Sequence, residues 1–188
     1  MLEVFITEGT HDGLAQRARA AGARVTMVSK HVEKTLAATV TPQGSVAVAR
    51  LDQRLLRDIP TRAGLALVLA EVRDPGNAGT LLRSAAAAGA DAVIFTSGSV
   101  DPFGSKTVRA AAGATFRIPI VTDLSLADAV EGLHARGFRV LGTSARSSQP
   151  VFDVDLTRHV AVVVGNESWG LSASSDGALD DEIGRAHV

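Results

Sequence analysis

Hydrophobic positions fall into short apolar runs separated by stretches of helical period. In the first part, Val4–Thr7 predicts a strand and Asp12–Ala21 a helix stopped by Gly22, since glycine suits the left-handed residue after a helix end. Arg24–Val28 predicts a second strand, and Lys30–Ala38 a short helix with Ser29 as N-cap. Thr41-Pro42-Gln43-Gly44 marks a turn before a third strand at Ser45–Ala49. The charge-rich stretch 51–62, with Pro60, is expected as a linker.

Beyond Gly64 the apolar runs lengthen: Leu65–Ala70, Ala92–Phe95, Arg117–Val121, Arg139–Leu141 and Val160–Val164. Unbroken Val/Ile/Leu runs, rather than alternating ones, suit parallel strands buried on both faces. Helical periods separate most of them, at Pro75–Ala88, Lys106–Ala112 and Leu124–Ala135. Strand–helix alternation of this kind predicts an α/β fold with an open, mostly parallel sheet and helices on both faces. Such sheets bind ligands outside the carboxyl ends of their strands. The loops 71–80, 96–105, 142–148 and 165–171 therefore carry the candidate chemistry.

Composition narrows the options. The chain has 188 residues, no cysteine, and 19 Lys+Arg against 20 Asp+Glu. Without cysteine there is no disulfide framework, thiolate nucleophile or Cys-based zinc site. The five histidines at 11, 31, 134, 159 and 187 lack metal-ligand spacing, so no metal is expected. No apolar run nears the roughly 20 residues of a membrane span, which points to the cytoplasm and away from a membrane. Charge is uneven: residues 1–62 hold nine Lys/Arg against six acids, and 63–188 hold ten against fourteen. A basic front part can face a phosphate backbone, although solvated helix faces give the same composition.

Two loops stand out. In Glu71-Val72-Arg73-Asp74-Pro75-Gly76-Asn77-Ala78-Gly79-Thr80, Asp74 fits an N-cap and Pro75 the first helical turn. Gly76 and Gly79 are poor helix formers, which suggests close approach by another backbone or a ligand. Arg83 lies six residues beyond Asn77, about 240° further round a helix, so the two need not share a face. A capped helix with a surface arginine satisfies the same spacing. In Gly165-Asn166-Glu167-Ser168-Trp169-Gly170-Leu171, an amide and a carboxylate follow a buried strand, where an open sheet places its ligand. Nucleotide signatures fail: Gly76-x-x-Gly79 lacks the leading glycine of GxGxxG, and Ser105 separates Gly104 from Lys106 in the nearest match to a phosphate loop.

At these residues the sequence resembles the SpoU (TrmH-like) RNA ribose methyltransferases of the SPOUT superfamily. LAEVRDPGNAGTLLRSAAAAGADAVIF looks like their first motif and VVVGNESWGL like their second. Asp101 through Ala114 is similar to the family's linker, in which a proline, a lysine and an arginine precede a glycine and a β-strand. The resemblance runs from Leu65 to about Glu182, and residues 1–50 look like the latter part of the small RNA-binding domain that often precedes it. It implies a trefoil-knotted domain over 63–182, behind a partial substrate-binding domain at 1–50. It implies methyl transfer from S-adenosylmethionine to a ribose 2′-hydroxyl of rRNA or tRNA, by a homodimer whose site forms near the interface.

By the same resemblance Arg83 aids deprotonation of the 2′-hydroxyl, Asn77 organises the site beside it, and Glu167 organises hydrogen bonds. A guanidinium with pKa above about 12 is a poor base; gripping the neighbouring phosphate and lowering the hydroxyl pKa is an equally good role. Gly165 matches the glycine whose backbone contacts the cofactor, Thr143 lies in a loop lining the adenosine pocket, and Leu171 packs on that pocket. The family's third motif, a strand followed by Ser-Leu-Asn and a small-residue helix, is expected just after Asp181-Glu182. The chain instead reads Ile183-Gly184-Arg185-Ala186-His187-Val188, which matches the translation of a sequencing adapter. Residues 183–188 are accordingly expected to be a non-native tail, and the chain as written inactive, poorly soluble and unable to bind S-adenosylmethionine. The alternatives are an RNA-binding SpoU-like module without catalysis and a Rossmann-type oxidoreductase, the latter disfavoured by the missing GxGxxG.

Overall fold

A computed structural model describes residues 2–51, 53–61, 64–171 and 178–184. The chain divides into two units, Met1–Leu51 and Asp52–Val188. In the first, β1 (Glu3–Thr7) pairs in parallel with β2 (Arg24–Val28) and antiparallel with β3 (Ser45–Val48). Helix α1 (Asp12–Ala20) closes on Gly22, whose φ of +78° is the left-handed turn that the sequence calls for. Val4, Ile6, Ala15, Ala18 and Ala23 form its core. Helix α2 (Lys30–Leu36), capped by Ser29, buries a carboxylate: Glu33 accepts from the Thr7 hydroxyl at 2.6 Å and the Gly44 N–H at 2.5 Å. A buried charge of this kind persists only where hydrogen bonds replace its water.

In the second unit, all five residues of β6 (Ala92–Thr96) are buried, as a strand covered on both faces requires. Its side chains alternate between two cores. Ala92 and Ile94 pack with Ala129, Val130 and Leu133 of α5 (Leu126–His134). Val93 and Phe95 pack with Ala78, Leu82 and Ala85 of α3 (Pro75–Ala87) and with Ala111, which follows α4 (Ser105–Ala110). β5 (Leu65–Leu69) divides the same way, Ala66 and Val68 against Leu67 and Leu69. Period-two alternation thus sends one apolar run to two helical layers.

Among the described residues the sheet has seven strands in the order β10-β8-β9-β5-β6-β7-β4, all parallel. They comprise β8 (Arg139–Thr143), β9 (Val160–Val164), β7 (Ile120–Leu124), β4 (Gln53–Arg54) and β10 (Asp181–Ile183). This is the α/β architecture read from the sequence, with three differences. All but Leu51 of the segment 51–62, expected as a linker, belongs to the larger unit: Gln53 and Arg54 pair with Ile120 and Val121, and Ile59 is buried in the α5-side core. Strand β7 begins at Ile120 rather than Arg117, because a 3-10 turn at Ala114–Phe116 and Pro119 precede it. Of the expected tail, Ile183 is buried and pairs with Thr143, and Gly184 bridges to Pro150; residues 185–188 lie outside the described residues.

Candidate functional site

Parallel order brings the carboxyl ends of β5 and β9 side by side, with Leu69 opposite Val164. The loop after β5 is pinned before it can become a helix. Val72 is buried beneath it, and Glu71 takes φ of +56°, a conformation costing a non-glycine residue roughly 1–2 kcal/mol. Three bonds hold that turn: Glu71 N–H donates to Thr96 Oγ1 at 3.2 Å, Asn166 Nδ2 donates to Glu71 O at 2.8 Å, and Val100 N–H donates to Val72 O at 2.9 Å. Asp74 then caps α3, its carboxylate accepting from Asn77 N–H at 2.7 Å, with Pro75 in the first turn.

The loop after β9 is tighter still. Asn166 and Gly170 exchange both backbone hydrogen bonds at 2.9 Å, and Ser168 N–H donates to Asn166 Oδ1 at 2.8 Å. Gly165 is required by this closure. A Cβ there would lie 2.3 Å from the Gly170 carbonyl carbon. The missing side chain at Gly165 makes room for the chain's own backbone. Gly79 likewise admits a backbone: a Cβ there would fall 2.4 Å from Ala110 Cβ and 2.7 Å from Ala110 C.

The two loops meet through Asn77 Nδ2, which donates to Glu167 Oε1 at 3.2 Å. Glu167 is exposed, yet its carboxyl is held below the usual glutamate range. Its own N–H contributes most, with the Asn77 amide and the Asp74 and Arg73 N–H groups adding to it against partial desolvation. A depressed carboxyl stays ionised, so Glu167 serves as a hydrogen-bond acceptor that orders the loops.

Beside these loops lies a cleft of about 610 Å³, lined among the described residues by Thr143 to Arg146, Asn166 to Leu171, and Glu182. That volume suits a small-molecule site, commonly about 300–1,000 Å³. Of the residues expected to hold a cofactor, Thr143 and Leu171 line it and Gly165 does not. The Thr143 hydroxyl already donates to Val163 O at 3.0 Å, and Leu171 packs against the α5-side core. Of the expected catalytic residues, Asn77 and Glu167 are brought together and Arg83 is not. Arg83 is exposed on α3, about 9 Å further along the helix axis than Asn77, with no hydrogen bond or ion pair among the described residues. Sequence reasoning marked the Asn166 amide only as a group at the ligand end of the sheet and assigned no role to Glu71, Thr96 or Arg73; these four hold the loops in place. An asparagine directly after a buried strand was the available signal for Asn166.

The model of the SpoU rRNA methylase family matches residues 64–183. The chain belongs to that family. Among SpoU relatives, an uncharacterized tRNA/rRNA methyltransferase of Synechocystis sp. is 38% identical over 160 residues, covering 85% of this chain and 58% of that protein. The 23S rRNA (guanosine(2553)-2′-O)-methyltransferase RlmP of Bacillus subtilis is 36% identical over 153 residues, covering 81% and 60%. The chain thus spans about three fifths of the length of these curated relatives. The crystal structure of an AdoMet-bound rRNA methyltransferase from Sinorhizobium meliloti superimposes with a TM-score of 0.83 at 30% identity, covering 99% of this chain and 72% of that one.

Proposed function

We propose that the protein transfers a methyl group from S-adenosylmethionine to a ribose 2′-hydroxyl of rRNA or tRNA. The observation carrying this reading is the Asn77–Glu167 bond, which joins the first and second SpoU motifs beside a ligand-sized cleft. Support comes from the relatives, one named for guanosine 2′-O-methylation and one solved with AdoMet bound.

The cleft residues fit such a donor in size and in offering charge of both signs. Glu182 places a carboxylate in the lining and Arg146 a guanidinium, which suit the donor's cationic and carboxylate groups, and the Thr143 to Ala145 and Gly170 to Leu171 segments would hold the nucleoside. When bound, S-adenosylmethionine supplies a methyl already activated on a sulfonium, so the chain's work is alignment and proton removal. Glu167, fixed as an anion, and Asn77 set the loops against which the ribose is oriented. Arg83 grips the phosphate beside the 2′-hydroxyl and lowers its pKa. Because Arg83 stands apart from Asn77 on the same helix, we place it in the site of a second copy, in a homodimer. The Met1–Leu51 unit binds RNA through Arg17, Arg19, Arg24, Lys30 and Lys34, all exposed and in no ion pair among the described residues. The proposed compartment is the cytoplasm; among the described residues no helix is long and apolar enough to cross a membrane.

The test is transfer of a labelled methyl into nuclease-resistant dinucleotides, by this chain and by a version continued after Glu182 with a SpoU third motif. Arg83→Ala is expected to lower transfer about 10²-fold or more, with cofactor affinity by calorimetry unchanged. Near-normal transfer by that variant removes Arg83 from the mechanism. RNA binding without transfer by either version favours the binding module.

A further inference from the structure

Trp169 is the only tryptophan in the chain, and it is 51% exposed. Its loop is locked by the paired Asn166–Gly170 backbone bonds, so the exposure belongs to a fixed ring. The Arg73 guanidinium lies 4.9 Å from the ring centroid, within cation–π range. Arg73 itself is 60% exposed at its side chain and is held by the Glu71 carboxylate at 3.3 Å. Both partners are tied to the Asn77–Glu167 pair. Trp169 comes two residues after Glu167, and the Arg73 backbone N–H is among the groups that hold the Glu167 carboxyl below its usual range. Trp169 lines the cleft together with Thr143 and Glu182, and the Arg73 contact ties its ring to the loop that follows β5, which leads into Asn77.

We propose that Trp169, held by Arg73, stacks a nucleobase of the RNA strand next to the methylated ribose, with Arg73 meeting the adjoining phosphate. The proposal rests on the RNA substrate of the previous section and adds a residue that selects single-stranded, splayed bases. A flat aromatic face beside a cation matches what single-stranded RNA offers, a base next to a phosphodiester.

A single tryptophan makes the test direct. The whole chain is titrated with a mixed-sequence single-stranded oligoribonucleotide of about 12 nucleotides, with linear polyphosphate of similar charge, and with S-adenosylmethionine. Tryptophan emission is followed alongside the anisotropy of the labelled oligonucleotide. The oligonucleotide is expected to quench the emission, and polyphosphate to compete for binding without quenching. Trp169→Ala is expected to weaken oligonucleotide binding about tenfold and Trp169→Phe far less, both melting as the parent does by circular dichroism. Anisotropy showing binding with unchanged emission, and equal affinity of Trp169→Ala, overturns the stacking role and leaves the RNA reading standing. No oligonucleotide binding at all overturns both. Quenching by S-adenosylmethionine alone reassigns the ring to the cofactor, and an emission shift that follows protein concentration reassigns it to a contact between copies.

Discussion

Asn166 spans the gap between two strands by donating its side-chain amide to the carbonyl of Glu71 at 2.8 Å, and Glu71 has the only positive φ among the non-glycine residues of its loop. The buried amide thus stabilises the left-handed turn that presents Asp74 and Asn77. Removing it strands a carbonyl and the Ser168 N–H. Asn166→Ala is expected to cost about 2 kcal/mol, read as a lower chemical-denaturation midpoint. Asn166→Asp cannot donate to Glu71 O while ionised and should cost at least as much. A variant as stable as the parent would show that Val72 and Thr96 suffice to hold the turn.

Gly79→Ala reverses an ordinary sign. In an exposed helix the change gains roughly 1 kcal/mol, but here the new methyl would meet Ala110 Cβ at 2.4 Å, and the close packing of α4 against α3 leaves only backbone to move. We expect a loss of about 1–3 kcal/mol, the cost of overpacking. Gly137→Ala, with nothing within 4 Å but φ of +78°, should lose only about 1 kcal/mol from its backbone conformation. Thermal melts of the two variants rank them.

Glu33→Ala removes the acceptor for both Thr7 and Gly44 within the Met1–Leu51 unit. A buried hydroxyl and a half-buried amide lose their partner, so about 2–3 kcal/mol of that unit's stability is expected to go. Hydrogen exchange should show the amides of β1 and β3 losing protection while those of β5 and β6 keep it. Equal protection in parent and variant would mean that water replaces the carboxylate.

Acid sensitivity follows from carboxyls held below their ordinary range, among them Glu167 and Asp180. Glu167 owes this to its own N–H first and to Asn77. Burial would raise Asp180, but the Val140 N–H at 2.6 Å and His134 at 2.9 Å outweigh it. A depressed folded-state pKa stabilises fully above the unfolded value near 4 and is lost as pH falls through the folded one. Stability is expected to be flat from about pH 7 to 5 on account of these groups and to fall below about pH 4. Asp180→Asn should flatten the acid limb of the denaturation midpoint; an unchanged limb excludes Asp180 as its source.

The parts legible in the sequence were those with a strong period or a strong cap. Leu65–Leu69, Ala92–Thr96 and Val160–Val164 announce themselves as unbroken apolar runs, and Asp74-Pro75 fixes the start of α3. Gln53–Arg54 does not, because a two-residue edge strand with exposed side chains carries no hydrophobic signal. Asp181–Ile183 is equally quiet, since Ile183 alone is buried. At the site, Asn77 and Glu167 could be found by motif. That Asn166 and Arg73 fasten the loops could not, because those bonds join residues brought together only by strand order.

Strand order also sets when the site can exist. β5 gains its β6 neighbour from residues soon after it, but its other neighbour, β9, pairs Leu65 with Val160. On a ribosome adding about 5–20 residues per second, both β5 and β8 wait with an open edge until β9 is made and slips between them. Asn77 is therefore synthesised long before its partner Glu167, and the nascent chain carries a half-built site with unpaired backbone beside it. The step that seats β9 is the one at which this protein most needs protection from its neighbours.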